Sequence, residues 1–351
     1  MSRDLVRIWS RRSRAGFAGV AAVLLALTAC GGSSGSSGGT KTYTIAFISQ
    51  GTSNSWAAQL DAVARKTAKA DGIKLVYFNG QGDATKQLPE IDTAIAQKPD
   101  AIVLVPLGGA ADTGPVERAM GQNIKVILCD STITSTNYTS LVTPHAETAT
   151  VPLAQWLADK MNHQGNLLYI GGLPGNTTTT TYDQGFNSVM QKYPDIHIIN
   201  AGNANYSIST AKQLAATAIA SGRTFAGAWG VGGEAVTGMM QAYVDAGVTS
   251  IPPIGGNSAT NGTMRLAIQH TIQVASLQFP PTSSQVCIDT AFKAAKGESV
   301  PKSINLSDLP QYGPIFPPLD KYYKSQYSDD MYVGTDSVLT FDELKAINLV
   351  K

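Results

Sequence analysis

The apolar residues near the start of the chain follow two different spacings. Residues 45–48 form a short uninterrupted apolar run, which is typical of a buried strand. After a polar loop, Trp56, Leu60 and Val63 recur at helical spacing, and Gly72 fits the position that follows a helix. A strand that turns directly into a helix indicates a parallel α/β sheet. The loop between them then lies at the carboxyl end of the strand, where open α/β sheets bind ligands.

The same strand-then-helix rhythm continues along the chain. Further strands are predicted at residues 73–78, 101–106, 125–129, 140–143, 167–170, 196–200, 225–229, 253–256 and 273–277. Helices are predicted between them, including one at 182–192 that follows a polar loop at 177–181. Repetition over two half-chains predicts an α/β protein with two similar Rossmann-like lobes. Thr340 and Glu343 have the spacing of a capping box for a last helix.

The first 29 residues have the composition of a targeting segment. Arginines precede an apolar run at residues 15–27, which is too short to span a membrane. The run ends in Leu27-Thr28-Ala29-Cys30, which resembles a bacterial lipobox. We therefore expect residues 1–29 to be a lipoprotein signal peptide and Cys30 to be lipidated, with an ordinary secretory signal as the alternative. Residues 30–41 are rich in serine and glycine and predict a flexible tether.

Charge and cysteine usage narrow the possible partners. The formal charge is +1, to which the first 29 residues contribute +4, leaving −3 for the rest of the chain. A mildly acidic protein lacks the electrostatic footprint of nucleic-acid binding, so we expect no nucleic-acid partner. Besides Cys30, the chain contains Cys129 and Cys287. We expect two buried free thiols, and a disulfide is the alternative that the sequence leaves open.

Seven short segments carry a resemblance to a known family through their order and spacing. They are residues 52–56 (TSNSW), 99–106 (PDAIVLVP), 125–130 (KVILCD), 171–186, 232–238 (GGEAVTG), 254–257 (IGGN) and 275–278 (ASLQ). Together they resemble the type I solute-binding proteins of ATP-driven sugar importers, and the ribose-binding branch in particular. The resemblance covers about residues 43–306.

The resemblance implies an architecture and a role. The fold would be the periplasmic-binding-protein type I fold, in which a three-stranded hinge joins two lobes around a ligand cleft. The lobes would comprise residues 42–142 plus 280–310 and residues 143–279 plus 311–351, with crossings near 142–145, 278–280 and 309–313. The protein would be the substrate-binding lipoprotein of an ABC transporter: an extracytoplasmic, membrane-anchored monomer without a cofactor that delivers its ligand to a membrane permease.

The sequence departs from the family pattern at several expected ligand positions. Tyr182 and Ser131 stand where the family has arginines, Asn257 stands at an expected acidic position, and Gly232 replaces an asparagine. The site has therefore lost its usual charged donors. This loss argues against anionic ligands and against ribose itself, so we expect a neutral sugar or polyol.

A sugar needs aromatic planes for its ring face and hydrogen-bonding groups for its hydroxyls. The candidate ligand residues are Asn54, Trp56, Asp130, Tyr182, Asp183, Tyr206, Trp229, Asn257 and Gln278. For Trp56 the alternative is packing under its own helix, and for Asp130 it is capping of the following segment. We predict that Trp56→Ala weakens ligand binding at least tenfold and leaves the apo melting temperature nearly unchanged.

Other chemistries find little support in the sequence. Residues 230–235 fit a dinucleotide fingerprint only loosely, and the four histidines lack metal-ligand spacing. We find no Gly-x-Ser-x-Gly elbow and no nucleophile–base pair, so we expect no enzyme, no cofactor and no metal. Two alternatives stay open: a sensor protein that presents its ligand to a membrane receptor, and a secreted glycoside-processing enzyme.

Overall fold

The computed structural model describes residues 41–51 and 54–351. The predicted signal peptide, Cys30 and almost all of the predicted tether lie outside these residues. In the part of the chain that the structure describes, no helix combines the length and the apolar character needed to cross a membrane.

The first lobe is built on a six-stranded sheet whose strands are all parallel. Its order is β11-β5-β4-β3-β1-β2. The strands are β1 (Thr44–Ser49), β2 (Lys74–Asn79), β3 (Ala101–Leu104), β4 (Lys125–Cys129), β5 (Ser140–Thr143) and β11 (Ser303–Asn305). The predicted apolar runs are the central strands, and β3 is buried along its whole length because helices cover both faces.

The second lobe repeats this design with a different outer strand. Its sheet has the order β12-β10-β9-β8-β6-β7, and only β12 is antiparallel to its neighbour. The strands are β6 (Gly165–Gly171), β7 (Ile196–Asn203), β8 (Gly227–Gly230), β9 (Ile254–Gly256), β10 (Val274–Gln278) and β12 (Gly313–Ile315). The predicted fold class of two Rossmann-like lobes is confirmed.

Helices alternate with the strands in both lobes. They are α1 (Ser55–Ala70), α2 (Ala84–Ala96), α3 (Thr113–Gly121), α4 (Ala146–Ala149), α5 (Val151–Lys160), α6 (Thr177–Met190), α7 (Ile208–Ala220), α8 (Gly233–Asp245), α9 (Asn261–Gln269), α10 (Ser283–Ala295) and α11 (Phe341–Ala346). The predicted loop at 177–181 is instead the first turn of α6. Asn176 caps this helix by accepting hydrogen bonds from the backbone N–H groups of Thr178 and Thr179, which outweighs the low helix propensity of the threonines.

The chain passes between the two sheets three times, as the fold prediction required. It leaves the first sheet after Thr143, returns after Gln278 and leaves again after Asn305. Helix α10, which follows the second passage, packs against α1, and the Ser284 hydroxyl donates to the Leu60 carbonyl at 2.7 Å. The exact residue bounds of the two lobes stay a prediction.

A disulfide joins Cys129 at the end of β4 to Cys287 in α10, which corrects the expectation of two free thiols. The two cysteines are 158 residues apart, and sequence spacing carried no information on their distance. The fold brings them together because α10 returns to the first lobe and packs on β4. Their Cα atoms lie 5.9 Å apart, within the usual range for a disulfide.

The last residues of the chain contact both lobes. Leu339, Leu344 and Leu349 form a small apolar cluster with Val63 of α1, and the predicted capping box of Thr340 and Glu343 begins α11. Residues 259–262, at the start of α9 in the second lobe, pair with residues 329–333 through backbone hydrogen bonds. The assignment of residues 311–351 to the second lobe stays a prediction. These residues also contact the first lobe.

Candidate functional site

A cavity of about 60 Å³ lies where residues from the carboxyl ends of both sheets and from the C-terminal segment meet. At roughly 10–15 Å³ for each water-sized occupant, it has room for about four to six such groups. The residues that line it are Gln50, Asn54, Trp56, Asp130, Asn176, Thr178, Tyr182, Tyr206, Gly232, Glu234, Ser258, Phe279 and Tyr332. Five of these residues are aromatic, so a small occupant would meet ring surfaces as well as polar groups.

Five of the candidate residues line this cavity: Asn54, Trp56, Asp130, Tyr182 and Tyr206. Asn54 also caps α1, because its side-chain oxygen accepts a hydrogen bond from the Ala57 N–H at 2.9 Å. Its amide nitrogen is a further hydrogen-bond donor at this helix end.

Trp56 lines the cavity and is also part of the core. It is only 7% exposed, and its ring stacks on Phe279 with centroids 5.8 Å apart. Its indole N–H donates to the Phe279 carbonyl at 3.4 Å. Truncating a buried tryptophan costs about 3–5 kcal/mol of stability. With this burial, we expect Trp56→Ala to lower the apo melting temperature, in contrast to the expectation from the sequence.

Asp130 follows β4 directly and has a left-handed backbone with φ +69°. Its carbonyl oxygen accepts hydrogen bonds from the Thr143 and Thr178 hydroxyls, at 2.6 Å and 3.3 Å. The Oδ1 atom of its side chain is buried and has no hydrogen-bond partner among the described residues. Burial raises the pKa of this carboxyl from 3.8 to about 7, because the charged form loses its hydration. An unsatisfied buried acceptor at a cavity wall is a position for a ligand donor.

Tyr182 and Tyr206 complete this part of the wall from the second lobe. Tyr182 is 3% exposed, and its hydroxyl is buried without a hydrogen-bond partner among the described residues. Burial, together with the nearby Asp130 charge, raises the pKa of Tyr182 well above its usual value, so the phenol stays protonated. The Tyr206 hydroxyl lies 2.7 Å from the Thr179 hydroxyl, which holds its ring in place.

Glu234 and Tyr332 form a second polar group at the cavity. The Tyr332 hydroxyl donates to the Glu234 carboxylate at 2.5 Å, and both side chains are buried. Burial raises the pKa of Glu234, while the hydrogen bond from Tyr332 partly offsets this effect. Glu234 stands in the first turn of α8, where the helix N-terminus also favours negative charge.

Gly232 allows a close approach of Tyr206 to this second group. Its φ is +95°, and a Cβ atom at this position would lie 2.8 Å from Cδ1 of Tyr206. A side chain here would therefore collide with the ring. Glycine at this position therefore makes room for the aromatic wall.

Four candidates, Asp183, Trp229, Asn257 and Gln278, are not among the residues that line this cavity. The Asp183 carboxylate accepts a hydrogen bond from the Tyr169 hydroxyl at 2.5 Å. Trp229 is fully buried in the core beside Phe186, with ring centroids 4.8 Å apart.

Asn257 directly follows β9 and Gln278 is the last residue of β10, but both side chains make other contacts. The amide nitrogen of Asn257 donates to the Thr150 hydroxyl at 3.0 Å, inside the second lobe. Gln278 lies against the C-terminal segment, where a Cβ atom on Gly334 would be 2.8 Å from its Nε2 atom.

The sequence interpretation did not name seven other lining residues as ligand candidates: Gln50, Asn176, Thr178, Glu234, Ser258, Phe279 and Tyr332. Gln50 and Glu234 could have been found, since each follows a predicted strand end. Phe279 could also have been found, because it lies in a predicted crossing. Tyr332 gave no signal, because nothing in its local sequence places it near a strand end.

The ionisable carboxyl groups of the cavity wall have no basic side chain beside them in the described part of the lining. Among the described residues that line the cavity, none is a lysine, arginine or histidine, whereas Asp130 and Glu234 are both acids. Such a wall offers hydrogen-bond acceptors and repels anions. In the described ranges 41–51 and 54–351, no cluster of three or more potential metal ligands occurs.

The chain is similar in sequence to known solute-binding proteins. A sequence model of the periplasmic binding protein domain matches residues 45–299. The chain is 28% identical over 219 residues to the xylitol-binding protein of Mycolicibacterium smegmatis, covering 57% of this chain and 62% of that protein. It is 23% identical over 279 residues to a galactofuranose-binding protein of Escherichia coli, covering 77% of this chain and 88% of that protein. The match thus spans less than two thirds of the xylitol-binding protein's own length.

Solved structures share the fold. An ABC transporter solute-binding protein from Mycobacterium smegmatis with bound glycerol superposes with a TM-score of 0.75 at 20% identity, covering 84% of this chain and all of that one. A solute-binding protein from Bacillus halodurans with bound myo-inositol gives a TM-score of 0.73 at 18% identity, covering 81% and 98%.

Proposed function

Since this chain belongs to the periplasmic binding protein domain family, we propose that it binds a neutral sugar or polyol in the cavity between its lobes and delivers it to an ABC permease. The relatives named above bind xylitol and galactofuranose, and two solved neighbours hold glycerol and myo-inositol. These relatives are solute-binding proteins and not enzymes, and we propose no catalytic step for this chain.

One observation carries the proposal. The buried Oδ1 atom of Asp130 and the buried hydroxyl of Tyr182 have no partner among the described residues, and both lie on an aromatic-walled cavity. A ligand hydroxyl can donate to the first atom, and another can pair with the second. A charged sugar phosphate would instead meet two acids and no cation.

The available interactions have the required size. A micromolar receptor needs about −8 kcal/mol. A hydrogen bond to an ionised acceptor contributes about 1.5–3 kcal/mol. Covering about 100 Å² of ring surface adds about 2.5 kcal/mol at ~25 cal/mol/Å². Two acidic acceptors and several aromatic rings therefore suffice.

Lobe closure would couple ligand binding to transport. Asp130 comes from the first lobe, and Tyr182, Tyr206 and Glu234 come from the second. A ligand that touches both lobes makes all of its contacts only when the lobes are closed, so it shifts the population toward the closed form. We propose that the permease recognises this form. Lipidation at Cys30, anchoring outside the cytoplasm and a monomeric state belong to the same proposal.

A thermal-shift screen tests the function. Xylitol, myo-inositol, glycerol, D-ribose and L-arabinose are added to the purified protein, and the melting temperature is recorded. A ligand at 1,000 times its Kd stabilises the native state by about 4 kcal/mol, so at least one compound should raise the melting temperature clearly. The matched control is myo-inositol 1-phosphate, which should give no shift because of its charge. No shift with any neutral compound, or a shift with the phosphate only, would refute the proposal.

A further inference from the structure

Gln59, a buried side chain of the first lobe, holds the C-terminal segment, residues 324–350, through several hydrogen bonds. Gln59 of α1 is fully buried, and its amide nitrogen donates to the Asp330 carbonyl at 3.0 Å. Its side-chain oxygen accepts from the Tyr332 N–H at 3.1 Å and from the Thr335 hydroxyl at 2.8 Å. The Gln59 side chain therefore binds the segment at three positions, residues 330, 332 and 335. Buried polar groups satisfied in this way hold a unique geometry.

The same segment is fastened to the second lobe. The Asn261 side chain donates to the Tyr327 carbonyl at 3.0 Å, and the first backbone N–H groups of α9 donate to the Met331 and Asp329 carbonyls. These helix N–H groups have no acceptor within their own helix, so the segment acts as their cap. Arg265 adds a two-pronged ion pair with Asp329, with Nη2 2.7 Å from Oδ2.

These attachments bring Tyr332 to the cavity. Its backbone N–H is held by the first lobe through Gln59, and its hydroxyl donates to Glu234 of the second lobe. The ring is 2% exposed and lines the cavity together with Tyr206 and Glu234. Tyr332 therefore does more than attach the segment to the lobes, because its side chain also forms part of the cavity wall.

We propose that the C-terminal segment forms a third wall of the ligand site, in which Tyr332 contacts the ligand and fixes the acceptor Glu234. This inference rests on the function proposed above. The Tyr332 hydroxyl donates its hydrogen bond to one Glu234 oxygen, so its own oxygen and the other Glu234 oxygen can accept hydrogen bonds from ligand hydroxyls. Adjacent hydroxyls on one polyol face fit this pair, whereas a ligand carboxylate or phosphate is repelled.

Isothermal titration calorimetry with xylitol, myo-inositol, glycerol and D-ribose tests this inference on the wild-type protein and on Tyr332→Phe. The variant keeps the ring and the backbone anchors but loses the hydroxyl. We expect the affinity to fall by up to about tenfold, and by different factors for the different compounds that bind the wild type, because Glu234 loses its donor and the ligands differ in the hydroxyls they present to it. Tyr327→Phe is the matched control. Tyr327 belongs to the same segment but lies outside the cavity lining, so affinity should stay unchanged.

Glu234→Gln, alone and combined with Tyr332→Phe, distinguishes a direct effect on ligand binding from a general loss of stability. If Tyr332 acts through Glu234, the two substitutions together should cost less than the product of their separate fold-changes. Tyr332→Phe should also change the ratio of affinities between xylitol and glycerol, which a uniform loosening of the fold would leave unchanged. Equal affinities for Tyr332→Phe, Tyr327→Phe and wild type would overturn the third-wall inference alone. Absence of binding by the wild type to all four compounds would overturn the proposed function and this inference together.

Discussion

Two groups of polar side chains face the cavity, and they differ in how their hydrogen bonds are satisfied. Asp130 and Tyr182 each present a buried polar atom without a partner among the described residues. Glu234 and Tyr332 are bonded to each other at 2.5 Å. The first group is costly to bury until a ligand arrives, whereas the second group is already ordered. In the site we propose, the first group would favour ligand binding, and the second would present acceptors in a fixed arrangement.

The origin of the groups reinforces the contrast. The unpartnered pair joins a residue of the first lobe to a residue of the second, so a ligand that bridges them connects the lobes. The bonded pair joins the second lobe to the C-terminal segment. Breaking the first group should therefore affect closure, and breaking the second should affect selectivity.

Among these substitutions, Asp130→Ala should cause the largest loss of ligand affinity. We expect a loss of about 10- to 100-fold in affinity, because a charged acceptor contributes about 1.5–3 kcal/mol to binding. Without ligand, the variant should melt at the same or a higher temperature at pH 8, since an unpaired buried carboxylate is removed. Calorimetric titration and thermal melts measure both quantities. A stability loss with unchanged affinity would assign Asp130 to the structure and not to the ligand.

The pH dependence should also distinguish the groups. Burial raises the pKa of Asp130 to about 7, so the native protein without ligand retains a proton that the unfolded chain loses near pH 4. The stability contributed by this group is therefore greatest below about pH 4 and falls as the pH rises to about 7. Ligand hydroxyls favour the ionised form, so affinity should rise with pH up to about 7. Asp130→Asn should flatten this rise in titrations between pH 5 and 8, and an unchanged slope would contradict the assignment.

Removing the Tyr182 hydroxyl should have the smallest effect. Tyr182→Phe relieves a buried unpaired polar group, so the melting temperature of the ligand-free protein should rise. Affinity should fall about two- to tenfold, because a neutral hydrogen bond contributes about 0.5–1.5 kcal/mol. The matched experiment on the bonded group, Tyr332→Phe, should instead leave Glu234 unpaired and lower that melting temperature. Equal shifts in the two variants would remove the distinction between the groups.

The fold could be predicted from the sequence because each apolar run and each helical stripe reports directly on burial. The residues of the site were harder to predict from the sequence, because a position at a strand end does not determine where the side chain points. Asp130 and Asn257 both directly follow a strand, yet Asp130 faces the cavity and the Asn257 amide binds Thr150. Trp229 lies one residue before the end of β8, yet it is fully buried in the core beside Phe186.

The remaining parts depend on contacts between distant segments. The disulfide and Tyr332 join positions 158 and 98 residues away from their partners. Neither region carries a local period that reports on such distances. Only the folded chain, in which α10 and the C-terminal segment return to α1 and β4, brings these residues together.

The bond between Cys129 and Cys287 makes a covalent ring of the chain from one cysteine to the other. That ring contains strands β5 to β10 and with them the whole parallel part of the second sheet. A protease that cuts once inside the ring opens it without releasing a fragment. Under non-reducing conditions the nicked molecule therefore keeps its full mass, and two pieces separate only after a reductant is added.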